Sequence, residues 1–203
     1  EAGHPVVVVD PDPTALARGP AALRDGLRLS RLLRRDREPA AADTETRVRW
    51  AGSTAALARA RFVVECVPER LDVKEEVFRA LDAVCPPGAV FASCTSAIPI
   101  TRLAGHTGRP DRVLGMHFMN PAPLKDTVEV IRAPGTGDGA LDLALALLAG
   151  MGKRAVVVAD APGFVSNRVL MLTVNEATAV VGEGTADAPA VDDIFENCFG
   201  HRM

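Results

Sequence analysis

Cysteine and histidine are scarce in this sequence and poorly spaced for metal. Cys66, Cys85, Cys94 and Cys198 show no C-x-x-C spacing, and only four histidines occur in 203 residues, so no metal site is expected. Positive charge is short as well: 23 Lys and Arg stand against 26 Asp and Glu, a formal net charge of −3. That balance excludes the electrostatic footprint of a nucleic-acid binder or a membrane-surface protein. No apolar run approaches the ~18 residues that cross a bilayer. No segment reads as a signal peptide, and the expected compartment is the cytoplasm. Three of the cysteines, Cys66, Cys85 and Cys94, lie in or beside apolar segments, which suits reduced, buried thiols. Tyrosine is absent and lysine supplies only 3 of the 23 basic residues. That bias toward arginine is what a GC-rich genome produces, and it carries no function. There is no internal repeat, and no low-complexity tract beyond alanine-rich patches.

The chain does have enough apolar residues, 48%, to bury one good core and part of a second. Strand and helix patterns alternate along it. Pro5–Asp10 is a continuous apolar run, the mark of a strand covered on both faces. Pro11–Arg37 reads as helical with a break at Gly19-Pro20. Arg31, Arg34, Arg35 and Arg37 make a basic cluster there. It is either a solvated helix face or a contact for phosphates or an acidic carrier domain. Short strands are expected at 48–50, 62–67, 89–93, 113–118, 127–131 and 155–159. Helices are expected at 54–61, 71–84, 98–104 and 139–150. Such alternation predicts an α/β fold with a doubly wound parallel sheet. From Gly163 onward helix dominates, with a break at 182–185 and a new helix from Pro189. The expected division is therefore 1–162 for the α/β domain and 163–203 for the start of an all-α domain.

Three local sequences are built to hold one polar residue each. Arg112-Val113-Leu114-Gly115-Met116-His117 reads as a buried strand ending in a histidine, then breaks at Asn120-Pro121. Thr127-Val128-Glu129-Val130-Ile131 places a carboxylate inside a β-branched run. Strand side chains alternate faces, so a solvent-facing Glu129 stays open at this point. Pro162-Gly163-Phe164-Val165-Ser166-Asn167 is a turn followed by the first turn of a helix, where Asn167 can also be a simple helix-start residue. A neutral imidazole near pH 7 can take a proton from an alcohol, and a carboxylate beside it can fix its tautomer. A base and its orienter are what the removal of hydride from a secondary alcohol requires.

In this order, Ala92-Ser93-Cys94-Thr95-Ser96, His117-Phe118-Met119-Asn120-Pro121, Val128-Glu129-Val130-Ile131 and Pro162-Gly163-Phe164-Val165-Ser166-Asn167-Arg168 resemble the 3-hydroxyacyl-CoA dehydrogenase family. Phe62-Val63-Val64-Glu65-Cys66-Val67-Pro68-Glu69-Arg70-Leu71-Asp72-Val73-Lys74 is similar to that family's strand and loop beside the nicotinamide cofactor. The likeness runs from Ala2 to Met203. It implies a Rossmann-type sheet, NAD as cofactor, and oxidation of a 3-hydroxyacyl thioester to its 3-oxo form. Residue by residue it implies His117 as general base and Glu129 as its orienting partner. Ser96 and Asn167 would be the groups that bond the reacting oxygen. It implies Glu69, Lys74, Ser96 and Asn120 around the cofactor, with Asp10 as the acidic residue after the second strand. An acidic side chain there accepts from ribose hydroxyls and repels a 2′-phosphate, which favours NAD over NADP.

Departures from the family pattern carry expectations of their own. The family opens with a strand and a G-x-G-x-x-G turn that holds the pyrophosphate at a helix N-terminus, and neither is found here. In a 3-2-1-4-5-6 sheet that strand lies between the second and the fourth. The segments 5–10 and 62–67 are therefore expected to lack a shared ladder. The helical end is expected to be short, the intact protein to be a homodimer, and the 203 residues to be a fragment of it. Cys94 stands where the family usually has Asn, and Ala97 replaces a common Ser. The thioester carrier is accordingly expected to be CoA or, alternatively, an acyl carrier protein. A non-enzymatic binding remnant is the reading of a different class.

Overall fold

The computed structural model describes residues 2–33 and 44–201. They form two compact units, 1–160 and 161–203. Of the basic cluster, Arg31 lies in a described helix, whereas Arg34, Arg35 and Arg37 lie outside the described residues.

The first unit is α/β. Strand β1 (Val6–Val9) leads into helix α1 (Pro13–Leu33), and β2 (Val48–Ala51) returns parallel to β1 with Val6 opposite Val48 and Val9 opposite Ala51. Strands β3 (Phe62–Glu65), β4 (Val90–Ser93), β5 (Val113–Phe118), β6 (Thr127–Arg132) and β7 (Arg154–Ala159) form a second sheet in that order. Helices α2 (Leu71–Val84), α3 (Ile100–Ala104) and α4 (Asp138–Gly150) connect them. As expected, β1 and β3 share no ladder; they belong to different sheets.

Four details differ from the sequence expectation, each for a physical reason. The sheet is parallel except that β5 and β6 run antiparallel. The link between them is a short loop at Asn120-Pro121. A parallel return needs a crossover of a dozen or more residues, so this one reverses direction. Helix α1 does not break at Gly19-Pro20; Pro20 lies inside it. Gly19 is required for another reason, since a Cβ there would come within 2.2 Å of the Trp50 ring on β2. The Gly-Pro pair thus marks close packing against an indole rather than a chain break. The stretch expected as a helix at 54–61 is only a 3-10 turn, Thr54–Leu57, capped by Ser53 accepting from the Ala55 N–H. Finally, Cys66 is exposed and Cys94 half-buried, whereas Cys85 is buried as expected. Cys66 follows the last residue of β3, where the chain leaves the sheet.

The core lies on both faces of the five-stranded sheet. One face packs Val90, Ala92, Leu114, Met116, Val128 and Val130 against Ala140, Leu141, Ala144 and Leu148 of α4. On α2 the buried residues are Lys74, Phe78 and Leu81, spaced at i, i+4 and i+7, which is one helical stripe. Phe78 meets Phe91 of β4 edge to face, with ring centroids 6.2 Å apart. Arg109 closes the far end of this layer: its guanidinium bonds Asp82 at 2.6 Å and lies 5.3 Å from the Phe91 ring centre. A lysine in that apolar stripe calls for an explanation, which the site supplies.

The second unit consists of α5 (Ser166–Gly182) and α6 (Ala188–Phe199). Asp187 caps α6 by accepting from the Ala190 N–H at 2.9 Å, and Gly200 ends it in the left-handed conformation. Among the described residues no helix is long and apolar enough to cross a membrane.

Candidate active site

His117 and Glu129 face each other across the one antiparallel pair of the sheet. Directly opposed residues share a face, so the register that pairs β5 with β6 also delivers the carboxylate to the imidazole. His117 Nδ1 is 3.0 Å from Glu129 Oε2, and both residues are only 7% exposed. The open question of a solvent-facing Glu129 is thereby answered: it is buried. On the other side of the ring, His117 Nε2 lies 3.1 Å from Ser96 Oγ. A carboxylate only accepts hydrogen bonds, so the Nδ1 proton belongs to the Glu129 bond. Nε2 then presents its lone pair toward Ser96 and the open side of the site.

Ser96 is held by its backbone. The Glu69 carboxylate accepts from the N–H groups of Ser96 at 2.9 Å and Ala97 at 3.3 Å, and from the Thr95 hydroxyl. Burial pushes the Glu69 carboxyl up, but those hydrogen bonds and the nearby Lys74 charge outweigh it and hold it below its ordinary value. The Thr95 hydroxyl in turn accepts from the Ile98 N–H at 2.9 Å, which turns the chain toward α3. The start of α3 is fixed by Asp160, whose carboxylate accepts from the backbone N–H of Ile100 at 2.9 Å and Thr101 at 2.7 Å.

Lys74 explains its own burial here. Its ammonium is 2.8 Å from Glu65 Oε1, 3.2 Å from the Val67 carbonyl and 3.4 Å from Glu69 Oε2. Glu65 also accepts from Ser93 Oγ at 2.7 Å and from the Val67 N–H at 2.6 Å. Glu65 and Ser93 were missed by sequence reasoning. The available signal was a carboxylate ending an apolar strand, nine residues before a lysine in the next helix.

Hydrogen bonds therefore join Glu129, His117, Ser96 and Glu69 in one chain, and an ion pair links Glu69 to Lys74. Asp10 follows the last residue of β1, and its carboxylate accepts from the Asp12 N–H at 2.9 Å. Asn120 is exposed on the loop that follows β5. Asn167 is the second residue of α5, in the second unit. The turn before it needs Gly163, whose φ of +72° and 3.2 Å approach to the Arg168 nitrogen leave no room for a Cβ. Among the described residues, no group of three or more His, Cys, Asp or Glu is placed to hold a metal.

Asp10, Cys66 and Cys94 follow the ends of β1, β3 and β4, and His117 is one residue from the end of β5. Ligands of open α/β sheets bind outside the carboxyl ends of the strands. Residues 1–161 match the family model for the 3-hydroxyacyl-CoA dehydrogenase NAD binding domain. Residues 163–203 match that for the same family's C-terminal domain. The chain is 44% identical over 193 residues to a probable 3-hydroxybutyryl-CoA dehydrogenase of Bacillus subtilis, covering 91% of this chain and 67% of that protein. It is 37% identical over 202 residues to a 3-hydroxybutyryl-CoA dehydrogenase of Bradyrhizobium diazoefficiens, covering 100% of this chain and 69% of that protein. Among solved structures, the (S)-3-hydroxybutyryl-CoA dehydrogenase of Ralstonia eutropha superposes with a TM-score of 0.90 at 33% identity, over 98% of this chain and 71% of that one. Fold and site together are those of an NAD-dependent oxidoreductase. The chain belongs to the 3-hydroxyacyl-CoA dehydrogenase family.

Proposed function

We propose that the protein interconverts a 3-hydroxyacyl thioester and its 3-oxo form, with His117 as general base. The observation that carries this reading is the buried Glu129–His117–Ser96 chain, with contacts of 3.0 and 3.1 Å. His117 Nε2 takes the proton of the 3-hydroxyl group. The imidazolium that forms is stabilised by Glu129, which also keeps the ring from rotating. Ser96 bonds the oxygen as it becomes a carbonyl, and the family resemblance gives Asn167 the same role. NAD, when bound, supplies the hydride acceptor for C3.

The residues present fit that cofactor at both of its ends. Asp10 offers an acceptor-only group for vicinal ribose hydroxyls, as NAD requires. Glu69 and Asn120 would hold the nicotinamide end. Lys74 serves the same end indirectly, through its contacts with Glu65 and Glu69. Residues 1–162 then form the cofactor domain and 163–203 the start of a helical domain through which two copies pair. The compartment we assign is the cytoplasm.

A CoA thioester is the substrate form favoured by the names of the relatives. A carrier-protein thioester is the second reading, favoured by Cys94 and Ala97 flanking the Thr95-Ser96 pair. Turnover of acetoacetyl-CoA against the same acyl group on a carrier protein separates the two. For the central assignment, His117→Gln in the intact parent should lower kcat by ~10²–10⁴, the range for a lost general base, while NADH affinity stays within a few fold. Near-wild-type turnover in that variant would end the assignment.

A further inference from the structure

Two of the four cysteines stand side by side at the edge of the site, where chemistry does not call for them. Cys66 and Cys94 follow directly on the paired residues Glu65 and Ser93 of β3 and β4. The ladder continues one step past the strands, because the Cys94 N–H donates to the Glu65 carbonyl at 2.8 Å. Neighbouring strands lie ~4.7–4.9 Å apart, inside the ~4.4–6.8 Å Cα separation that a disulfide spans. The side chains already point at each other, with Sγ atoms 3.2 Å apart. A bond of ~2.05 Å therefore requires only a small rotation of each side chain.

We propose that Cys66 and Cys94 are a redox-active pair that closes to an intramolecular disulfide across the carboxyl ends of β3 and β4. Hydrogen peroxide is the oxidant. The exposed Cys66 reacts first: its thiolate attacks a peroxide oxygen, breaks the O–O bond and becomes a sulfenic acid, while the other oxygen leaves as water. Cys94 Sγ then attacks the Cys66 sulfur, the S–O bond breaks, and the second oxygen leaves as water. Two thiols have lost two electrons and two protons, and one peroxide has become two waters.

The order of events follows from the surroundings. The Cys94 thiol beside it holds Cys66 below the ordinary thiol value, against desolvation and the Glu65 charge. Cys94 is pushed the other way, first by the same contact and then by burial, so it is the resolving partner. Cys85 is buried in the core and does not compete for this position. The bond would tie segment 66–69 to segment 94–96, the two segments already joined by the Glu69–Ser96 contact. It would be a covalent lock on the loop that presents Ser96 to His117.

The test uses the 203-residue chain carrying Cys198→Ser, treated with stoichiometric peroxide. Peptide mapping should show the Cys66 and Cys94 peptides joined within one chain, two hydrogen atoms lighter, and dithiothreitol should reverse the change. With Cys94→Ser added, a sulfenic acid should accumulate on Cys66 and be trapped by dimedone. With Cys66→Ser added instead, Cys94 should remain a thiol at the same dose. Separate oxidation of the two sulfurs without a cross-link, linkage only between chains, or no loss of thiol would each overturn the proposal.

Discussion

Lys74 is 1% exposed, and a buried ammonium persists only where its partners replace water. Here Glu65, the Val67 carbonyl and Glu69 do so, and the first two also shape the chain as it leaves β3. Removing the cation leaves Glu65 as an uncompensated charge in the core. Lys74→Met should therefore cost ~3–5 kcal/mol of stability, read from urea unfolding. A loss below about 1 kcal/mol would show that water reaches Glu65 freely. Glu69 makes a different, pH-dependent contribution. Its carboxyl is held below the ordinary 4.5, so the folded state favours the charged form. The stability it adds is present above that ordinary value and is lost as pH falls through the lower folded one. The melting temperature of the native protein should exceed that of Glu69→Gln at pH 7, and the gap should close toward pH 3. A gap of constant size across that range would mean that the bonds to Thr95, Ser96 and Ala97 do not depend on charge.

At the scale of elements, the strands were legible because their apolar runs are continuous, but the burial inferred from such a run was not. β4 and most of β5 and β6 are buried, whereas β1, expected to be covered on both faces, has no buried residue, because only β2 pairs with it. Direction was not legible either. An apolar run reads the same in a parallel or an antiparallel strand, so the reversal between β5 and β6 rested on the length of one loop. The base and its orienter were legible because a histidine and a carboxylate each interrupt a run that otherwise belongs in a core. The register that opposes them was beyond reach, since it depends on pairing and not on local pattern. Glu65 escaped for a related reason: its partner lies on the next helix, and only packing brings the two together. The break between the two sheets has a measurable consequence. A two-stranded sheet is marginal by itself, and β1 has an exposed first residue, whereas β4 is buried throughout. Amides of Val7–Val9 and Arg49–Ala51 should exchange with deuterium faster than those of Phe91–Ser93 and Leu114–Met116. Protection of β1 equal to that of β4 would show that the two sheets open as one cooperative unit.

For the molecule as a whole, the second unit sets the expected state in solution. Helix α5 has no buried residue, and its Val169, Leu170, Met171, Leu172 and Val174 are all exposed, Leu172 at 64%. These positions surround the helix rather than lining one stripe, and a helix apolar on every side belongs in an interior. Ile194 and Phe199 of α6 are exposed as well. Burial of one such side chain is worth ~1.5–3 kcal/mol, so several together work against the cost of holding two chains in register. Self-association through residues 161–203 is the expected outcome, in line with the proposed pairing of two copies through this domain. Sedimentation equilibrium at tens of micromolar should give twice the mass of one chain. Val169→Glu combined with Leu172→Glu should return it to the mass of one chain, because two charges would then have to be desolvated at the contact. Circular dichroism on the same sample distinguishes this from unfolding, since α5 and α6 should keep their helical signal. A native protein that sediments as one chain at those concentrations would remove the paired state, and with it the role assigned to 163–203.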